Sequence, residues 1–387
     1  MSKINEDKNI LNNYRFNNAP VTRGASVQFD SIHERRLAAD KAKTMERGWT
    51  YGLDGSPSHW CLEDELSSLE LGDRCELFST GLSAITCTFL SLLTQGDHIL
   101  IPQSVYGPVR RFVRTMLSSF GVSATFYNPC FTPEELERII NPNTKILFIE
   151  SPGSYTFEVQ DMPGLAKIAN LNNITVVVDN TWGIKNIFPL KNAADVVIHS
   201  ATKYLSGHSD VLLGAVITRN KKLGDKISKG RRVIGEHVSP DDCWLVSRGL
   251  KTLNVRMKVH ESNALSIATW FSKRLQIVRV LHPAFESCHG HEFWKRDFSG
   301  SSGVFSVLFA SDISIESIYL FCDSLKLFKI GASWGDTESM VYPAGEYVRR
   351  DTDQIDLTRL VRFSIGLEKI SDLIQDLERA FSSVYND

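Results

Sequence analysis

The sequence predicts an α/β fold: a mostly parallel sheet with helices on both faces, followed by a smaller C-terminal α+β domain. Three observations carry this. Between about positions 75 and 220, short apolar runs of strand length recur without the polar alternation of a half-exposed sheet, so each strand is covered on both faces. Stretches with helical spacing separate these runs, the pattern of parallel strands joined by crossover helices. After about residue 245 the pattern changes to a long helical stretch and then to strands between helices.

Residues 1–50 mix both charges with several asparagines and read as an extended arm. The sheet domain is expected over 51–245 and the second domain over 246–387. The strands of the first are CELFS, HILIPQS, ATFYNP, KILFIE, ITVVVDN, DVVIHS and LLGAVIT. Helices are expected over Leu82–Leu93, Pro108–Phe120, Thr132–Ile140 and Met162–Leu171. Pro133 marks a helix start, because proline lacks an N–H that the first turn leaves unpaired anyway. In the second domain the helical stretch runs from Asp241 to Arg274, and GVFSVLF and LVRFSIG are strands. An open parallel sheet binds its ligand beyond the carboxyl ends of its strands, so the residues just after each apolar run are the candidates for chemistry.

Composition narrows the partners. Lys plus Arg (43) nearly balances Asp plus Glu (45), for a formal charge of −2, and no nucleic-acid surface is indicated. No run approaches the ~18 apolar residues of a membrane span and no apolar signal core opens the chain, so a cytoplasmic protein without membrane contact is expected. Seven cysteines, an odd number without a CxxC pair, point to reduced thiols rather than a disulfide framework. Cys288-His289-Gly290-His291 has metal-ligand residue types but no second cluster at a recognised spacing, and no metal site is assigned. Gly300-Ser301-Ser302-Gly303 lacks the ending of a phosphate loop and reads as a turn.

Four strand-end features remain. Ser79-Thr80-Gly81-Leu82 lies between a strand and a helix, where free N–H groups and the helix dipole can hold a phosphate. Asp179 ends ITVVVDN, and a carboxylate after such a run must be capped, paired or used on a cation. Lys203 follows DVVIHS with the hydroxyls of Ser200 and Thr202 just ahead of it. Tyr106 follows HILIPQ, where its ring can stack on a planar ligand. Each alone has a bland structural reading. Pyridoxal phosphate (PLP) needs all four together: an amine for its aldehyde, an anion hole, a carboxylate for the pyridine nitrogen and a surface for the ring.

The segments VVVDNTW, SATKYLSGHSD, GAVIT, ESPGSYTFEVQD, SWGDTES and RFSIGLE resemble the cysteine and methionine metabolism (trans-sulfuration) family of PLP enzymes, over about residues 20–385. The resemblance implies the fold type I, PLP-dependent transferase architecture. Trp334 in SWG is similar to the cystathionine β-lyase branch, where γ-synthases and γ-lyases usually carry leucine. The resemblance implies that Lys203 is the Schiff-base lysine, Asp179 the partner of the pyridine nitrogen and Tyr106 the stacking ring. Gly81, Leu82, Ser200 and Thr202 would hold the phosphate. Arg362, helped by Ser333 and beside Trp334, would bind the α-carboxylate of an amino-acid substrate, a task that suits a planar guanidinium fork. Tyr51 in YGLDGSPSHW matches a tyrosine lent to the neighbouring subunit's phosphate and substrate site. The arm would therefore contact a neighbour, and a homotetramer built as a dimer of dimers with shared active sites is implied.

The implied reaction is β-elimination from cystathionine or a related sulfur amino acid, as in methionine biosynthesis. The alternative is γ-elimination or γ-replacement on a homoserine- or methionine-derived substrate in specialised biosynthesis. A protein that only binds is the third reading, and the joint presence of Lys203 and Arg362 opposes it. Three departures from the family pattern stand out. Leu53 occupies a position where members often carry a phosphate-pairing arginine, with Arg47 as a candidate substitute. Ala332 and Asp336 replace residues expected around the substrate. His208 and Asp210, close after Lys203, read as structural polar groups.

Overall fold

The computed structural model describes residues 18–44, 46–348, 350 and 356–385, so the first seventeen residues of the expected arm lie outside it. Seven strands form the larger sheet: β1 (Arg74–Phe78), β2 (His98–Pro102), β3 (Ser123–Tyr127), β4 (Thr144–Glu150), β5 (Thr175–Asp179), β6 (Val196–Ser200) and β7 (Gly214–Thr218). Their order is β1-β7-β6-β5-β4-β2-β3. β7 runs antiparallel to both of its neighbours, while the pairs among β2 to β6 are parallel. Because β7 returns antiparallel, β6 needs no crossover helix to reach it. The connection 201–213, which carries Lys203, is left as a loop at the carboxyl end of β6.

The lack of alternation in these strands has a direct cause. Val176 and Val178 of β5 enter one core, with Leu62, Leu165 and Val246, while Val177 enters another, with Phe89 and Ile227. Helices Pro57–Leu69, Met162–Leu171 and Pro240–Leu250 thus cover one face, and Gly81–Leu92 and Lys221–Ile234 the other. The second sheet comprises β8 (Ile277–Leu281), β9 (Val304–Phe309), β10 (Lys329–Ile330), β11 (Met340–Pro343) and β12 (Leu360–Ser364), in the order β10-β11-β12-β9-β8. Helices Leu253–Phe271, Ile315–Ser324 and Ile370–Tyr385 pack on it around Phe305, Phe321, Phe363 and Phe381.

Several elements differ from the sequence expectation. The arm is not wholly extended: Ile32–Lys43 is a helix, capped by the Ser31 side chain, with Glu34 in its first turn and Lys41 and Lys43 in its last. It buries no side chain, so local capping and charge placement favour it where no apolar stripe announces it. The stretch from Asp241 to Arg274 is two helices, Pro240–Leu250 and Leu253–Phe271, rather than one. At the break Arg256 donates to the carbonyls of Gly249 and Tyr204, both at 2.8 Å. Pro108–Phe120 becomes Gly107–Phe112 followed by a wider turn over Val113–Leu117, and Thr132–Ile140 shortens to Pro133–Glu137. Among the described residues no helix is long and apolar enough to cross a membrane.

Candidate active site

Lys203 is fixed by its neighbours. Tyr204 is fully buried, and its hydroxyl accepts from the Gly303 N–H at 2.7 Å. Gly207, at φ +69°, turns the chain so that its N–H donates to the Lys203 carbonyl at 2.8 Å. Gly249 lets its helix pack directly on this loop, since a Cβ there would lie 2.3 Å from the Ser206 carbonyl oxygen. With its backbone so held, Lys203 projects Nζ into a cavity of about 350 Å³ at the carboxyl ends of the parallel strands. Nζ donates to Ser333 Oγ at 2.8 Å and sits 5.4 Å from the Trp334 ring centroid. Burial, then the charge of Arg362, lowers its pKa to about 8.

The strand register gathers the acids. Glu150 and Asp179 end adjacent strands as direct partners, and both line the cavity. Asp179 Oδ1 accepts from the N–H and the hydroxyl of Thr181, at 2.9 and 2.6 Å. Burial raises its pKa against the lowering effect of these bonds, and no ion pair relieves it among the described residues. Glu150 Oε2 accepts from the Tyr106 N–H at 2.7 Å, and its other oxygen accepts from the Ser154 hydroxyl. Burial and the Asp179 charge push Glu150 up to about 8. A buried carboxylate of this kind calls for an added cation.

The anion side is equally open. Thr80 caps helix Gly81–Leu92 through a reciprocal pair with Ser83, each bond 3.0 Å. The N–H groups of Gly81 and Leu82, the first two helical residues, have no acceptor among the described residues. Gly81 is required by close approach: a Cβ would lie 2.6 Å from Ser200 Cβ. The Ser200 hydroxyl is also without a partner among the described residues, whereas the Thr202 hydroxyl accepts from the Leu213 N–H at 3.0 Å. Ser79 is tied instead to Glu236, which accepts from its N–H at 2.9 Å. An amine, a pair of open N–H groups at a helix start, a carboxylate without an ion pair and the ring of Tyr106 around one cavity fit PLP.

Arg362, on β12, reaches the same cavity from the second sheet and is 6% exposed. Nη2 donates to the carbonyls of Ala332 and Ser333, and no carboxylate pairs with the guanidinium among the described residues. Ala332 and Trp334 line the cavity. Asp336 is not among the residues lining it and accepts from the Thr337 N–H at 2.6 Å. Tyr51 is also outside the cavity of its own chain and is exposed. Arg47 is committed elsewhere, in a two-point pair with Asp64 at 2.9 and 2.7 Å and a contact to Glu63 at 3.3 Å. His208 is exposed, with Nδ1 on the Ser206 carbonyl at 2.6 Å, whereas Lys203 Nζ bonds Ser333. Cys288 donates to the Phe157 carbonyl and His291 Nδ1 contacts that of Pro283 at 2.9 Å, so these two groups serve the backbone.

Glu150, Ser154 and Tyr155 were not among the sequence candidates. Glu150 carried the same signal as Asp179, a carboxylate closing an apolar run. Tyr155 gave no local signal.

The chain matches the family model described as Cys/Met metabolism PLP-dependent enzyme over residues 2–382. It is 39% identical over 366 residues to the cystathionine beta-lyase of Bordetella avium, covering 94% of this chain and 91% of that one. It is 35% identical to cystathionine beta-lyase MetC of Escherichia coli, covering 95% and 94%. Among solved structures it is similar to a cystathionine gamma-lyase from Lactobacillus plantarum complexed with L-serine, with a TM-score of 0.86 and 28% identity over 95% of this chain and 94% of that one.

Proposed function

Because the chain belongs to the Cys/Met metabolism PLP-dependent enzyme family, we propose that it is a carbon–sulfur lyase acting on cystathionine or a related sulfur amino acid by β-elimination. The observation that carries this reading is the convergence of Lys203, Asp179 and Arg362 on one cavity from two different sheets.

In this reading Gly81, Leu82, Ser200 and Thr202 hold the cofactor phosphate, Tyr106 stacks on its ring and Asp179 holds a proton on the ring nitrogen. When bound, PLP supplies the electron sink that stabilises negative charge at the substrate Cα. Arg362 binds the α-carboxylate with the N–H groups that Ala332 and Ser333 leave free. Lys203 Nζ, brought down to about 8 so that its neutral form is populated near that pH, and held by Ser333, takes the Cα proton. The Cα–H electron pair then forms the Cα–Cβ double bond as the Cβ–S pair departs with the thiolate. Water converts the remaining fragment to pyruvate and ammonia.

We also infer a shared site. Tyr51 is 56% exposed and lies outside its own cavity, which supports a role beside a neighbour's phosphate in a dimer or in a homotetramer built as a dimer of dimers. With Leu53 neutral and Arg47 paired, that site would depend on other donors. The division into an arm, a cofactor domain over 51–245 and a smaller domain over 246–387 is supported by the separate apolar core of the second sheet. A cytoplasmic location fits the reduced cysteines.

The test is product analysis with purified holoenzyme across a panel of sulfur amino acids. Pyruvate from cystathionine supports the proposal. The likeness to a γ-lyase and the small Ala332 favour γ-chemistry as the second reading, for which 2-oxobutyrate would be the product. Absence of both products across the panel overturns both.

A further inference from the structure

We propose that Tyr155 is a positioning residue for Arg362: its ring holds the guanidinium in the orientation that receives the substrate carboxylate. The inference rests on the reading of Arg362 as the carboxylate site and extends it to a residue from the loop that follows β4 of the larger sheet.

Arg362 is a buried cation with a long, rotatable side chain and no carboxylate partner among the described residues. Its positive charge meets two carbonyl oxygens, both at Nη2, and two aromatic faces. Cζ lies 5.2 Å from the Tyr155 ring centroid and 5.4 Å from that of Tyr342, within reach of cation–π attraction. Tyr342 is there by register, since it is the direct cross-strand partner of Arg362 on β11. Tyr155 is not. It comes from the loop after β4, lines the cavity, and crosses to the second sheet.

The backbone is bent to deliver it. Tyr155 has φ +67° and Phe157 φ +57°, left-handed conformations that bulky residues rarely adopt. Such outliers persist only where surrounding bonds over-determine them, and they cluster at ligand sites. Here Ser154 N–H donates to the Ser104 carbonyl at 2.9 Å, Phe157 N–H to that of Gly153 at 3.1 Å, and Gly153 N–H to that of Glu158 at 3.0 Å. Arg350, from the second domain, pairs with Glu158 at 2.8 Å and bonds the Thr156 hydroxyl. The residue following Tyr155 is thus gripped by the same domain that supplies Arg362. Among the described residues the Tyr155 hydroxyl has no hydrogen-bond partner, and the contact this side chain makes with Arg362 is through its ring.

Tyr155→Phe and Tyr155→Leu in the holoenzyme separate ring from hydroxyl. Two readouts are taken: KM and kcat for the best substrate, and the dissociation constant of norvaline, which has no leaving group, from its perturbation of the cofactor absorbance. Retained cofactor absorbance checks that each variant is folded. Tyr155→Phe is expected to match wild type. Tyr155→Leu is expected to raise both KM and the norvaline constant roughly fivefold to thirtyfold, about 1–2 kcal/mol, with kcat within about twofold. Unchanged constants in Tyr155→Leu overturn the inference, as does a loss confined to kcat or an equal loss in Tyr155→Phe. Arg362→Ala is the reference: if it leaves norvaline binding unchanged, the carboxylate reading itself fails, whereas a response to Arg362→Ala without one to Tyr155→Leu rejects the role of Tyr155 alone.

Discussion

Replacing Lys203 with methionine should stabilise the cofactor-free protein near neutral pH while abolishing turnover. Burial and the neighbouring charge of Arg362 bring the lysine from 10.5 to about 8. At ~1.36 kcal/mol per unit, carrying this charge near pH 7 costs the folded state on the order of 3 kcal/mol. Methionine removes that cost. It also removes the bond to Ser333, about 1 kcal/mol, and the contact with the Trp334 ring, about 0.5–1 kcal/mol. The net gain is about 1–2 kcal/mol. The sign with pH follows from the depressed folded pKa. Below about 8 both states are charged and the full penalty is present. Between about 8 and 10.5 the folded lysine is neutral while the unfolded one keeps its proton, so wild-type stability rises relative to the variant. Urea unfolding of both cofactor-free proteins across this range measures the difference. A variant less stable than wild type near pH 7, or a difference that does not shrink with rising pH, would refute the reasoning.

Arg362→Ala should raise KM for every amino acid roughly 10- to 150-fold, from the loss of about 1.5–3 kcal/mol of charged hydrogen bonding, with little change in side-chain selectivity. Loss of one substrate with retention of another would place Arg362 at the distal end instead. Asp179→Asn should retain cofactor by absorbance yet lose turnover on the order of 10²-fold, because its charge acts on the electron sink. Near-normal turnover would remove Asp179 from that role. Glu150→Gln should keep activity within about threefold at pH 7, since Glu150, pushed up to about 8, already carries its proton and glutamine preserves an acceptor for Tyr106. Its stability advantage over wild type should grow from about pH 4.5 to about 8 and then level off, because the raised folded pKa of the acid disfavours the ionised form. Denaturation at several pH values checks this.

What could be read from the sequence was what strand ends dictate. Asp179 and Lys203 close apolar runs of a parallel sheet, and the chain has few places to put such groups except at the ligand face. Glu150 carried that signal too, in KILFIE, and its pairing with Asp179 appears only once β4 and β5 are in register. Arg362 and Ser333 were recognised through resemblance. Spacing alone could not have joined them to Lys203, because the Lys203–Ser333 bond closes over 130 residues. Tyr155 lies within ESPGSYTFEVQD, but its role could not be read there, since a positive φ at an aromatic residue is set by tertiary bonds and not by local preference. The helix Ile32–Lys43 was missed because it buries nothing and so has no apolar stripe to read. Arg47 is a candidate phosphate partner by sequence, but Asp64 and Glu63, on the following helix, pair with it.

The central claim is that the cavity around Lys203 is where this chain holds its cofactor. Borohydride reduction of the holoenzyme fixes the cofactor to whichever amine carries it, and peptide mapping then identifies the residue. The account predicts a single label on Lys203. A label on Lys258, or on any lysine outside the loop 201–213, would contradict it.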